Sequence, residues 1–413
     1  MYKNPINYIK YGLLILPVFF GAIDFYNSFT TDYSISFTKY MGLTGSQAFR
    51  WMLVCLFFSL VAFLTSALFS IKWRRFPTRS KRISSKSAKR INLYLKAIFL
   101  AIASYKILSI LYIGILNYLL FARSGEIEIG GLLYFVLLMF PFVLAYDVNK
   151  NGLSWSNILS ILVLFFLNLV TGFRLLLIYG LAVIIIFNYK SLIMIKKSTW
   201  IMALFVFALL LIGYERSRQE LESSGLNLEI QGAMDSLNRS RPLNSLQLIS
   251  DKEVSLPLTD VSKLVTVPIA TFLKTFGVEN DDFFSTRFNL NSVSEPLFRD
   301  YLVWRGTPLY EATGFSVSIV SYSYLFYREL GVIFFAFFYG FFIAIGCKLL
   351  NSNFYEGKIF GSTLLVASLF CNEAIVEAST LLVFALIFLA FMWVLATFRQ
   401  TIIRAQRSTS KNL

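Results

Sequence analysis

Eight arginines carry the strongest chemical signal in this chain: Arg174, Arg216, Arg218, Arg239, Arg241, Arg287, Arg299 and Arg305. Guanidinium forks take phosphate oxygens in pairs and stay charged beside lipid. Gathered at one membrane face, such a set suits a lipid-linked pyrophosphate. The competing reading is ordinary salt bridging, because acids are interspersed among the arginines. Arg174 is the sharpest of the set. It adjoins an apolar run, where a cation without a partner is costly.

The acids are harder to assign. Asp300 and Glu311 neighbour Arg305, and Glu373 and Glu377 lie four apart, on one face of a helix. Transfer of a sugar to a hydroxyl is helped by a general base. Any of these carboxylates has that chemistry, and each also fits a structural role. Asp24 and Lys106 fall inside apolar runs. They read as an ion pair, or Lys106 reads as a phosphate contact. Aromatic residues are dense from Phe272 to Tyr310 and include Trp304 and Tyr301. Flat rings beside polar groups suit sugar faces, and equally a membrane-interface belt.

Absences narrow the chemistry further. The chain has no histidine, which removes His-based catalysis and His-ligated metals. Cys55, Cys347 and Cys371 sit in separate apolar runs, so neither a disulfide framework nor a metal site is expected. There is no Walker-type phosphate loop, no GxSxG elbow and no HExxH. ATP-driven transport by this chain alone, serine hydrolysis and zinc hydrolysis are disfavoured. No cofactor is expected.

The elements that must position these residues are membrane helices. Of 413 residues, 57% are hydrophobic and 15% charged, against roughly 25% charged in soluble proteins. Apolar runs long enough to cross about 30 Å of hydrocarbon recur along the chain. They predict an all-α polytopic membrane protein with ten spans: 8–28, 48–71, 95–120, 131–148, 154–171, 174–189, 199–214, 331–350, 359–375 and 379–398. The first lacks a small-residue cleavage site and reads as an uncleaved helix. The run from Ile158 to Phe187 is too long for one crossing. It is interrupted at Asn168 and again at Thr171-Gly172-Phe173-Arg174, so it reads as a hairpin of two short helices with Arg174 at the tip.

Orientation follows from charge. Lys72–Arg90 holds nine basic residues and no acid, which marks a cytoplasmic loop. Lys3 and Lys10, Lys190, Lys196 and Lys197, Lys348 and Lys358, and Arg399, Arg404 and Arg407 then fall on the same side. The net charge of +15 reads as this positive-inside bias rather than as nucleic-acid binding. The interval 215–313, between the seventh and eighth spans, falls outside. A loop so long is uncommon unless it is functional. Within it, Pro257–Phe276 alternates polar and apolar residues at helical spacing around Pro268. That segment reads as a helix on the bilayer surface, or one packed on the loop's own core. The Ser/Tyr-rich segment Gly314–Leu330 reads as an interfacial or re-entrant helix feeding the span at Gly331. The interval as a whole reads as a lid, one wall of a site whose other walls are Arg174 and Gly314–Tyr324.

Two stretches resemble a known family, the Wzy-type polymerases of bacterial O-antigen and related surface polysaccharides. Thr171-Gly172-Phe173-Arg174 is similar to a T-G-x-R element at an outer hairpin tip. Gly314-Phe315-Ser316-x-Ser318, then Tyr324, Gly331-Val332 and the Phe/Gly-rich run through Gly340, is similar to a segment that follows the family's large periplasmic loop. The layout of spans, large loop and basic inner side covers the whole chain. Two positions depart from the pattern: Tyr322 stands where the family often has an acid, and Arg328 where it has a glycine.

The resemblance implies a GT-C-like bundle in the bacterial inner membrane, with both termini cytoplasmic and the large loop periplasmic. It implies a metal-independent glycosyl transfer. A sugar hydroxyl of one undecaprenyl-pyrophosphate-linked repeat unit attacks the anomeric carbon of a lipid-linked glycan donor, and undecaprenyl pyrophosphate leaves. Arg174, Asp300 and Glu311 are then the expected catalytic groups. The other arginines, Lys106, Ser316, Tyr310 and Tyr324 become substrate contacts. The implied partners are membrane lipid, a flippase and a chain-length regulator. An O-antigen ligase shares the architecture but is expected to carry a loop histidine. A flippase or other transporter would have more spans and short loops, and a non-catalytic scaffold leaves the arginine set without a purpose.

Overall fold

The computed structural model describes residues 6–29, 43–72, 85–114, 131–170, 174–192, 242–251, 261–274, 318–352, 354–372 and 375–409. These form thirteen helices, with no strand among the described residues. The long ones are α1 (Ile6–Phe29), α2 (Gly45–Lys72), α3 (Ser85–Ile113) and α4 (Gly131–Asn151). The hairpin region gives α5 (Trp155–Val170), α6 (Arg174–Phe187) and the single turn α7 (Tyr189–Leu192). Two helices come from the long polar interval: α8 (Pro242–Asp251) and α9 (Lys263–Lys274). The chain closes with α10 (Ile319–Leu325), α11 (Glu329–Leu350), α12 (Tyr355–Phe370) and α13 (Ile375–Thr409).

Burial runs the way a bilayer demands. On α2, Trp51, Cys55, Phe58 and Ala62 recur at helical spacing and are buried, while Leu53, Phe57, Leu60 and Leu64 on the other faces are exposed. Large apolar side chains facing outward along a whole helix would be an aggregation hazard in water. In hydrocarbon they are the ordinary surface, and the helix satisfies its own backbone. Among the described residues, segments of α1, α2, α3, α11 and α13 are long and apolar enough to span a membrane; α5 and α6 are apolar but shorter.

Two helices form the centre. Along α4, Leu137 to Ala145 are buried on every face, and α4 packs on α3, α5, α6 and α13. α12 packs on α11, α13 and α6. Small residues permit the closest approaches. A Cβ on Gly340 of α11 would collide with the Ala62 carbonyl of α2, and one on Gly361 of α12 would lie 2.8 Å from the Gly346 carbonyl of α11.

Several expectations are modified. α3 begins at Ser85, so residues 85–90 of the basic loop are already helical; Ala, Lys and Arg are good helix formers and hydropathy does not mark a helix start. The Pro257–Phe276 segment yields α9, which packs on α13 and α4 rather than only on lipid or on its own loop. The Gly314–Leu330 segment yields α10, a short helix buried at all seven residues. Its serines are hydrogen-bonded: Ser318 caps the helix by accepting from the Ser321 N–H, and Ser323 Oγ donates to the Val320 carbonyl at 2.6 Å. The break in the hairpin falls between α5 and α6, which pack on each other. The run 199–214 lies outside the described residues.

Candidate functional site

The two ends of the bundle differ in chemistry. At one, the Lys10 ammonium donates to Ser70 Oγ at 2.7 Å, tying the start of α1 to the end of α2. Lys96 pairs with Asp147 at 2.8 Å and donates to Asn157 Oδ1 at 2.8 Å, tying the start of α3 to the end of α4 and the start of α5. The Tyr189 hydroxyl donates to Asn351 Oδ1, and that of Tyr355 to Asn92 Oδ1. The basic connections identified in the sequence leave from this basic end.

The opposite end receives the pieces of the long interval. The Leu243 N–H in the first turn of α8 donates to Asp24 Oδ2 of α1 at 2.9 Å. Trp51 Nε1–H of α2 donates to Gln247 Oε1 at 2.6 Å, and Gln247 Nε2–H donates to Asp251 Oδ1 at 2.6 Å. Ser321 Oγ donates to the Pro242 carbonyl at 3.2 Å, and the Ile319 N–H to the Cys371 carbonyl at 2.7 Å. These bonds seat α8 and α10 on the ends of α1, α2 and α12.

A ladder of cations and rings is built on this floor. The Tyr324 and Trp51 rings meet edge to face, 5.3 Å between centroids. The Arg328 guanidinium lies 5.2 Å from the Tyr324 ring and donates to the Ile249 carbonyl at 3.3 Å. The Arg50 guanidinium lies 4.8 Å from the Trp51 ring. Such stacking favours a guanidinium in place without neutralising it. Neither arginine makes an ion pair among the described residues. Two ring-held guanidinium groups at one face, without an ion pair among the described residues, have the chemistry to take an anion with several oxygens.

The backbone here is unusual. Tyr327 has φ 60° and Arg328 φ 54°, ψ −124°, conformations that favour glycine. Arg328 is the position at which the family resemblance leads one to expect glycine. Gly331 follows, and a Cβ there would collide with the carbonyls of Phe326 and Ser323. The turn between α10 and α11 is therefore tight, and it carries an arginine where an arginine is strained.

On the far side of α10 lies an apolar groove of about 430 Å³ between α9, α11, α12 and α13, lined by Val265, Ile319, Phe334, Phe338, Leu364 and Leu386 among others. Phe335 also lines it and stacks on Phe326 at 5.7 Å. The groove runs alongside α10: Ile319 at its start lines it, and Phe335 links it to Phe326 at its end.

No protein-family model, curated protein or solved structure matches the chain.

Of the residues singled out in the sequence, Tyr324 is buried in the ladder. Arg174 is the first residue of α6. That helix ends beside Asn188 and Tyr189 at the basic end, where Asn188 Nδ2–H donates to the Ala145 carbonyl, so Arg174 stands at the opposite end. Lys106 is on α3, which packs on α4, α5 and α13, whereas Tyr324 is on α10, which packs on α8, α11 and α2; the structure does not bring these two together. Asp24, offered above as a partner for Lys106, accepts from the Leu243 N–H. Arg216, Arg218, Arg239, Arg241, Arg287, Arg299, Arg305, Asp300, Glu311, Glu373, Tyr310 and Ser316 lie outside the described residues. Among the described residues no group of three or more Cys, Asp or Glu is placed to hold a metal. Sequence reasoning missed Arg50. Its signal was an Arg-Trp pair near the start of an apolar helix, where a belt tryptophan is ordinary and its partner is easily overlooked.

Proposed function

We propose that this chain polymerises undecaprenyl-pyrophosphate-linked oligosaccharide repeat units into O-antigen or a related surface polysaccharide at the periplasmic face of the bacterial inner membrane. The reading takes the ten spans and large periplasmic loop of the sequence analysis, with both termini cytoplasmic. One observation carries it: an apolar groove among α9, α11, α12 and α13 adjoins, across the short helix α10, two ring-held guanidinium groups that make no ion pair among the described residues. That pairing suits a ligand with a long hydrocarbon chain and a diphosphate head.

In this reading the prenyl chain lies in the groove and the pyrophosphate beside Arg328 and Arg50, with Arg174 and the loop arginines completing the charge. An acceptor sugar hydroxyl attacks the donor's anomeric carbon. The new glycosidic bond forms as the bond to the pyrophosphate oxygen breaks. The hydroxyl proton passes to a carboxylate, for which Asp300 and Glu311 are the candidates, and undecaprenyl pyrophosphate departs. Arginines positioned for the departing pyrophosphate stabilise charge that develops only as the bond breaks.

Disruption of the gene tests this directly. The expected phenotype is surface lipid bearing one repeat unit, with the long-chain ladder gone. Loss of the single unit as well would reject the polymerase reading and favour a flippase or ligase.

A further inference from the structure

The opposite, basic end holds a second arrangement that the proposed reaction does not use. Three aromatic residues from three helices meet there. The Tyr355 ring of α12 lies 4.6 Å from that of Tyr146 on α4 and 6.4 Å from that of Phe187 on α6. A lysine follows each aromatic by about one helical turn: Lys150 after Tyr146, Lys190 after Phe187 and Lys358 after Tyr355. The packed rings therefore bring three ammonium groups into one corner.

None of the three lysines makes an ion pair among the described residues. Asp147, the nearest acid on α4, is already engaged by Lys96 at 2.8 Å. Lys150 and Lys190 are exposed, with Lys190 5.8 Å from the Tyr189 ring, while Lys358 is half-buried in the first turn of α12. Burial holds the Lys358 ammonium below the ordinary lysine range, and the like charges of Lys190 and Lys150 lower it further. Loop lysines that merely obey the positive-inside bias are free to spread into water. A helix-borne, half-buried lysine facing two others is held where an anion placed among them gains all three charges.

We propose that Lys150, Lys190 and Lys358 form a binding site for the phosphate headgroup of an anionic phospholipid of the inner leaflet, seated between α4, α7 and α12. Lipid is the source that fits, because Lys190 follows directly on α6, whose exposed Ile178 and Ile185 give acyl chains an apolar surface beside the corner. Basic pockets between helices on the cytoplasmic side take diphosphatidyl and other acidic headgroups in this way.

The test uses the full chain purified in detergent and returned to nanodiscs of phosphatidylcholine, titrated with cardiolipin or with inorganic phosphate. Thermal stability and lipid retention in native mass spectrometry are read together. Cardiolipin is expected to raise the melting midpoint and to survive as a bound adduct. The Lys150→Gln/Lys190→Gln variant, altered only at exposed positions, is expected to lose most of both effects, as is Lys358→Gln, while Lys358→Arg keeps them. A control with Lys81→Gln, Lys86→Gln and Lys89→Gln is expected to bind as the parent does. Equal binding by the parent and the double variant, or an equal loss in the control, overturns the site. A matching stabilisation by inorganic phosphate alone overturns its assignment to lipid.

Discussion

Asp24, buried in α1, accepts the N–H of Leu243, 219 residues further along the chain, with its Oδ2 at 2.9 Å. Pro242 opens α8 at the position where a proline's missing N–H costs nothing, and the carboxylate meets the next free N–H at the positive end of the helix. A residue of the first spanning helix thus caps a helix of the long interval. The capping carboxylate is supplied from a distant part of the sequence.

Asp24→Ala should undock α8. Leaving a buried N–H unmet costs about 1–3 kcal/mol. Hydrogen exchange over residues 242–251 should rise and polymer length should fall, while the protein still inserts. Asp24→Asn keeps an acceptor oxygen and should retain most protection. Unchanged exchange in Asp24→Ala would mean that Gln247 and Ser321 hold α8 without it.

Arg328 separates strain from function. A non-glycine residue in its conformation costs about 1–3 kcal/mol. Arg328→Gly should therefore leave the melting midpoint equal or higher. The same change removes the guanidinium over Tyr324. Loss of one charge-assisted contact to substrate, about 1.5–3 kcal/mol, corresponds to roughly tenfold to hundredfold in activity. A stabler and equally active Arg328→Gly protein would remove this residue from the site.

Gly340 sets the spacing of α11 and α2. Any Cβ there meets the Ala62 backbone, and backbone cannot rotate away as a side chain can. Gly340→Val should lower the melting midpoint clearly, by an overpacking cost of about 1–3 kcal/mol or more. Gly12→Ala is the control, because a Cβ at Gly12 meets nothing within 4 Å.

Much of this fold was legible because a bilayer writes itself into a sequence as length and polarity. The run ending at Val170 and the break before Arg174 are visible in the residues themselves. The partners of polar groups were not. Trp51 and Gln247 are 196 apart, and nothing local in either stretch announces the other. The amphipathic pattern around Pro268 fixed a helix but not which apolar surface it would cover, and α13 proved to be that surface. The Ser/Tyr-rich segment Gly314–Leu330 was legible as a helix, but not that Ser318, Ser321 and Ser323 each satisfy neighbouring backbone or hydroxyl groups in the buried α10. Arg328 was visible only as a departure from a family pattern. Its left-handed backbone and its place over Tyr324 depend on how α10 docks.

Arg174 and Arg50 test the charge at the end of the bundle opposite the basic one. Arg174→Ala should abolish the long-chain ladder with the protein still in the membrane. Arg50→Ala should shorten it less, since Arg50 is exposed and stacked on only one ring. A normal ladder in Arg174→Ala would take that residue out of the reaction.

The most direct measurement is reconstitution. Purified protein in vesicles would be given the single-repeat lipid extracted from the disrupted strain, and free undecaprenyl pyrophosphate and glycan length would be followed together. The expected result is one undecaprenyl pyrophosphate released for each repeat added, on growing lipid-linked chains, with both rates lost together in Arg174→Ala. Vesicles that bind the lipid but release no undecaprenyl pyrophosphate, or that only move it across the bilayer, would contradict the polymerase reading.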